Sequence, residues 1–317
     1  MKKSVLVVAL ALGVSSAFAQ DLTSKKGEPM LPEANDWAIS MNADPIFEFV
    51  GNAFSGYTGK NSAPAVNWLN GNQTIIGKKF IDEKTAYRVL VRLGFTSQTF
   101  KNSVQADDQD LATVLFPTLP ALVVDKYKHT TTNIAIGAGK EWRRGKTRLQ
   151  GFYGADVMLW MTSSKDKYTY GNTMTAVPSS GSHQTTTPLT TTFDNDPQSL
   201  TFGAVTGAVP ASARVTQQKS GMTIGVGIRG FIGAEYFIFP KIAIGAEYGW
   251  GLGFQTTGKG TTSTERQGGS PNQVAVEDVK TEGKSKLGID TDMNQGNMFG
   301  FKGSNTGSAS LKVTFHF

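Results

Sequence analysis

Apolar side chains recur at every second position in a series of short runs along this chain, the period at which a β-strand turns successive side chains to opposite faces. Trp37, Ile39, Met41 and Ala43 alternate with Asp36, Ala38, Ser40 and Asn42. Val89, Val91, Leu93 and Phe95 form a second set, Ile224, Val226, Ile228 and Ile232 a third, and Ile242, Ile244, Tyr248, Trp250, Leu252 and Phe254 a fourth. At the end of the chain Leu311, Val313, Phe315 and Phe317 share one face, and Lys312, Thr314 and His316 the other. The pattern predicts eight strands, near 36–43, 73–81, 85–99, 128–141, 147–162, 223–237, 241–256 and 308–317. Short links at Asp82-Glu83-Lys84, Arg143-Arg144-Gly145 and Pro240 alternate with long polar segments around 45–72, 101–126, 163–220 and 257–306.

That alternation of short and long links decides among β architectures. Loops of this length are foreign to a compact soluble domain. Transmembrane β-barrels, by contrast, join an even number of antiparallel strands by short periplasmic turns and long extracellular loops. The predicted fold is therefore all-β: an eight-stranded antiparallel transmembrane β-barrel over 36–317, with the apolar sets on its lipid face and Trp37 at the periplasmic rim. A soluble β-sandwich has equally apolar faces but gives no reason for the loop asymmetry. Entry of part of 200–215 into the wall would make ten strands and a wider interior.

The start of the chain agrees with export. Lys2 and Lys3, an apolar run from Val5 to Val14 and the small residues of Ala17-Phe18-Ala19 read as a cleaved signal peptide over 1–19. The run of about 10 residues is too short to cross a bilayer as a helix, which takes ~20. Residues 20–35, with Pro29 and Pro32, read as an extended periplasmic lead-in. No later stretch is long and apolar enough to cross as a helix, so a membrane protein of this composition has to close a sheet to satisfy its backbone. The 36 glycines and a hydrophobic fraction of only 39% suit strands that are apolar on alternate residues. The chain has no cysteine, which excludes a lipid-modified cysteine, a disulfide framework and a thiolate metal site. The formal charge of +6 falls to about +4 once Lys2 and Lys3 leave with the signal, too mild to argue for a nucleic-acid partner.

Opposite the lipid face lie Arg88 and Arg92, Arg148, Gln150 and Asp156, Arg229 and Glu235, Glu247 and Lys312, with Glu141 and Asp44 as further members. The interior of an eight-stranded barrel is filled by its own side chains, and buried charges persist when paired. The expectation is a lumen charge network in which Arg88, Arg92 and Arg229 are held by Glu235, Glu247 and Asp156. Inward Gly225, Gly227, Gly233, Gly245, Gly249, Gly251 and Gly253 give the long side chains room. A solute path or proton relay along the same residues is the alternative.

Other motifs carry less. Gly137-Ala138-Gly139-Lys140 lacks phosphate-loop spacing, and Gly225-x-Gly227-x-x-Gly230 has no following helix. His129, His183 and His316 are the available imidazole bases, and His129 beside a loop serine would suit a lipid-modifying site, but spacing supplies no acid partner. The acidic runs at 107–110 and 194–196 read as solvated loop residues rather than cation ligands. No catalytic residue, cofactor or metal site is expected. In the first loop, Asp44-Pro45 followed by Ile46, Phe49, Val50, Ala53 and Phe54 predicts a short amphipathic helix, lying on the outer leaflet or docking on an outer-membrane protein partner. The third and fourth loops, rich in Thr, Ser, Gly and Asn, read as flexible surface material.

The terminal run to Phe317 resembles the C-terminal signal read by barrel-insertion machinery, with Leu311, Val313, Phe315 and Phe317 as its insertion signal. The whole pattern resembles the small eight-stranded outer-membrane barrels of the OmpA/OmpX type, and Asp36-Trp37 with Gly77-Lys78-Lys79-Phe80 is similar to barrels common in Bacteroidota. This resemblance spans 36–317, brings no catalytic residues, and implies a structural or interaction role in the envelope with outer-membrane lipid as the surroundings. No peptidoglycan-binding domain of the OmpA type is expected beyond the barrel. A narrow channel for small solutes is the rival reading, and a lipid-modifying enzyme a remote one.

Overall fold

The structure, a computed structural model, describes residues 22–24, 26–43, 74–107, 121–175, 183–185, 209–211, 213–267, 274–290 and 309–317. Its regular elements are all strands, with no helix among the described residues. In chain order they are β1 (Trp37–Asn42), β2 (Ile75–Asp82), β3 (Thr85–Gln105), β4 (Leu122–Arg144), β5 (Leu149–Thr169), β6 (His183–Thr185) and β7 (Val209–Ala211). Then follow β8 (Ala213–Lys219), β9 (Thr223–Phe239), β10 (Ile242–Thr257), β11 (Gly260–Gln267), β12 (Val274–Thr281), β13 (Lys284–Asp290) and β14 (Ala309–His316).

Eight of these make a ring. β1 pairs with β2, β2 with β3, β3 with β4, β4 with β5, β5 with β9, β9 with β10 and β10 with β14. β14 returns to β1 with Ser40 opposite Thr314, and every one of these pairings is antiparallel. The period-two pattern is the cause: along β10 burial alternates residue by residue, so one face meets the interior and the other does not. The eight ring strands are those predicted, but several run further. β3 extends to Gln105, β4 begins at Leu122 and β5 ends at Thr169.

The tight links have identifiable chemistry. Asp82 accepts the Lys84 amide at 2.7 Å in the β2–β3 turn. Lys241, at φ 61°, turns β9 into β10 after Pro240. The β4–β5 link lies later than predicted: Arg143 and Arg144 belong to β4, and the turn is made by 145–148 around Gly145, whose φ of 117° an L side chain rarely adopts. The lead-in is not simply extended. Met30 is buried against Phe237 and Ala243, and the Lys241 amide donates to the Met30 carbonyl.

Beyond the ring the sheet continues, contrary to the expectation of flexible third and fourth loops. β5 pairs with β9 up to Thr162 opposite Thr223, and then with β8 from Lys165 opposite Lys219. β11 pairs with β8 and β12, while β13 pairs with β10. Thus β8–β9, β10–β11 and β12–β13 are three adjacent ribbons, each interrupted once at nearly the same level. Gly221 lies at the first interruption, where a Cβ would come within 1.9 Å of the Gly258 carbonyl oxygen of the second. β8 draws on the 200–215 region named for a ten-stranded wall, yet it extends the sheet above β9 and leaves the ring at eight. β6 and β7 form a separate two-stranded sheet. The expected first-loop helix from Asp44 lies outside the described residues.

Candidate functional site

The inward face of the ring carries an ionic cluster. Lys78 on β2 lies 3.0 Å from Glu141 and 2.9 Å from Glu235. Arg143 donates to the same two acids at 3.1 and 2.5 Å, and its Nε to Gln150 at 2.9 Å. Thr314 adds a hydroxyl to Glu235 at 3.2 Å. One layer along, Arg88 grips both oxygens of Glu247 at 3.0 and 3.3 Å and touches Glu141 at 3.4 Å and Asp156 at 3.5 Å. Arg229 reaches Asp156 at 3.3 Å and Glu247 at 2.8 Å, and Lys312 reaches Glu247 at 2.6 Å. In a ring of eight, β2 stands opposite β9 and β3 opposite β10. The Lys78–Glu235 and Arg88–Glu247 pairs therefore brace the interior from wall to wall.

Aromatic rings fill the space between these charges. The Arg88 guanidinium lies 3.8 Å from the centre of Phe231, and Lys78 Nζ 5.0 Å from that of Phe152. Glycines make the fit possible: a Cβ on Gly154 would stand 2.4 Å from Phe231, and one on Gly249 2.4 Å from the Arg229 guanidinium. Towards the short turns the cluster is covered by Phe80, Phe237 and His316, the imidazole lying 5.4 and 5.2 Å from the two phenyl rings. The cations and acids of this buried cluster are in mutual contact, and a member left without any partner would be a charge stranded in a poor solvent for it.

Of the lumen residues expected from sequence, Arg88, Asp156, Arg229, Glu235, Glu247 and Lys312 come together here. The pairing differs from the expected one at Glu235, which is held by Lys78 and Arg143 and not by the arginines of the next layer, and Arg92 is not among the cations that hold Glu235, Glu247 or Asp156. Arg92 is buried on the same face of β3. Arg148 is half-buried before β5 and joins none of the cluster's ion pairs, because the turn at 145–148 holds it at the ring's edge. Asp44 lies outside the described residues. Lys78 and Arg143 were the residues missed. The signal available for each was parity, since Lys78 is two residues from inward Phe80 and Arg143 two from inward Glu141.

A second cluster occupies the inner face of the extension. Asp166 supplies the acid that spacing did not: its Oδ1 lies 2.6 Å from His129 Nδ1 and accepts the Tyr127 hydroxyl at 2.8 Å. Phe100, Tyr127 and Tyr168 stack across β3, β4 and β5 with centroids 5.9 and 4.9 Å apart. Tyr170 continues the row under the Arg214 guanidinium, which is bound to Glu265 at 2.6 Å. Burial pushes the Tyr127 phenol well above its ordinary 10.0, and the Asp166 carboxylate adds to the shift; Tyr168 moves the same way for the same first cause. Both phenols therefore keep their protons in the folded protein where the unfolded chain loses them. The stability this contributes is whole below about pH 10 and declines as pH rises beyond it. At about pH 11 the tyrosinate absorbance of the native protein should equal that of the Tyr127→Phe/Tyr168→Phe variant. An excess of two tyrosinates in the parent would refute the burial argument.

Among the described residues no group of three or more His, Cys, Asp or Glu is placed to hold a metal ion. The two glycine motifs lie within β4 and β9, where no phosphate-binding turn exists. Comparison with known protein families, curated proteins and solved structures found no match to this chain.

Proposed function

We propose that this chain is a non-enzymatic outer-membrane β-barrel, exported through its N-terminal signal, with a lumen closed by paired charges and a structural or interaction role in the envelope. The observation that supports this is an inverted polarity. The ring keeps Lys78, Arg88, Glu141, Arg143, Glu235 and Glu247 nearly inaccessible, while Leu93, Phe95, Val157 and Ile228 are 71%, 66%, 55% and 58% exposed on its outside. Water would favour the reverse, and hydrocarbon favours this arrangement. In this reading the eight ring strands cross the bilayer, the short turns face the periplasm, and the extended sheet of β3–β5, β8 and β11–β13 stands outside the cell.

The extended sheet is what the barrel offers to a partner, because charge braces at two levels leave its interior no aqueous path. His129 and Asp166 form a dyad of the kind a general base uses, yet they face the inner side of the extension with Tyr127, away from the lipid that a lipid-modifying enzyme would have to reach. Purified folded protein should run with different gel mobility boiled and unboiled, and should give no resolved openings in planar bilayers. Steady single-channel openings would replace the closed barrel with the small-solute channel.

A further inference from the structure

We infer that the periplasmic rim of β1–β4 binds the phosphate of an anionic phospholipid in the facing leaflet, between Lys79 and Lys140. This rests on the membrane reading above. Four directly opposed residues form one row across the outside of the wall: Trp37, Lys79, Tyr87 and Lys140, alternating aromatic and cation. Lys79 Nζ lies 4.6 Å from the Trp37 ring centre and donates to the Asn35 carbonyl at 2.6 Å. Lys140 Nζ lies 6.0 Å from the centre of Tyr87 and 5.3 Å from that of Trp142. Both ammonium groups thus rest against aromatic faces at the outer rim.

The two lysines stand two strands apart, about 10 Å at the backbone, with the half-exposed Tyr87 between them, a span their flexible side chains close around one phosphate. The next outward row offers a place for the lipid tails. Gly77 and Ala138 flank the exposed Val89 there, so the wall carries little side-chain bulk beside that valine. The charge around the rim is lopsided. Lys84, Arg144 and Lys146 are exposed on this side beside Lys79 and Lys140, against Asp82, Glu83 and Glu33, whereas the β9–β10 turn has Lys241 alone, paired with Asp36 and 3.8 Å from Glu33. An anionic headgroup is accordingly drawn to one side of the barrel, and an interfacial aromatic row alone would not make that distinction.

The test uses the full chain in detergent, with phosphatidylglycerol or phosphatidylcholine of identical tails added and retention read by native mass spectrometry. The parent should retain phosphatidylglycerol about tenfold over phosphatidylcholine, a difference of about 1.4 kcal/mol. Lys79→Gln/Lys140→Gln should lose that preference, and Lys79→Arg/Lys140→Arg should keep it, with all three proteins showing the same heat-modifiable mobility. No preference in the parent, or an undiminished one in the glutamine variant, would overturn the site. Millimolar inorganic phosphate should leave the lipid in place; its displacement would overturn the assignment to a membrane lipid. A parent that stays soluble without detergent and shows no heat shift would instead refute the membrane reading itself.

Discussion

Glu247→Ala should lower the stability of the folded ring by about 3–5 kcal/mol, the range for breaking a buried ion pair by removing one partner. Glu247 is in contact with Arg88, Arg229 and Lys312 at once, and it is the acid that Lys312 touches. Its loss strands a lysine and weakens the brace between opposite walls. Arg88→Ala should cost less, although Arg88 is equally buried. Each acid it leaves retains another cation: Glu141 keeps Lys78 and Arg143, Asp156 keeps Arg229, and Glu247 keeps Arg229 and Lys312. Arg148→Ala, outside the cluster, should fall within about 0.5 kcal/mol of the parent. Urea titration of the compact gel band in detergent ranks the three. If Glu247→Ala also lies within that margin, the interior is wet and the packed-charge lumen is wrong.

A charge on the outside of the wall should have an effect of comparable size if lipid surrounds it. Val157 lies on β5 four residues from Tyr153, about 13 Å along the strand, near the middle of an apolar band some 25 Å tall. Val157→Arg is expected to destabilise the protein in bilayers by about 2–4 kcal/mol and to reduce its outer-membrane yield. In a water-soluble protein the same substitution, at a site already 55% exposed, would be nearly neutral. Refolding into vesicles at graded urea measures the difference. Equal midpoints for parent and variant would argue that hydrocarbon does not contact this face.

Much of the ring was legible in the sequence because the inner and outer faces of its wall impose opposite demands on neighbouring residues. Leu252 and Phe254 point out, Gly251 and Gly253 point in, and no other period fits them. The misses came where that contrast fails. Lys78 and Lys79 are chemically identical neighbours facing opposite ways, as are Arg143 and Arg144, so composition did not reveal that one of each pair is buried. Asp166 sits between Lys165 and Lys167 in a run that reads as a loop, since beyond the ring this strand has polar residues on both faces. The same loss of contrast hid β8 and β11–β13, whose threonines, glutamines and charges show little period-two hydrophobicity.

Closure of the ring depends on residues far apart in the sequence. The Ser40 and Thr314 hydroxyls meet at 2.7 Å although 274 positions separate them in sequence. Every other seam of the ring joins segments much nearer in sequence, so the β1–β14 seam carries the largest loop-closure entropy and is favoured to form last. Until it does, the sheet has two unpaired edges, one on β1 and one on β14, each a template for pairing with a neighbouring copy. The polypeptide thus remains vulnerable to aggregation for as long as the seam to its final eight-residue strand is open, and a chaperone that shields those edges would protect it most at that stage.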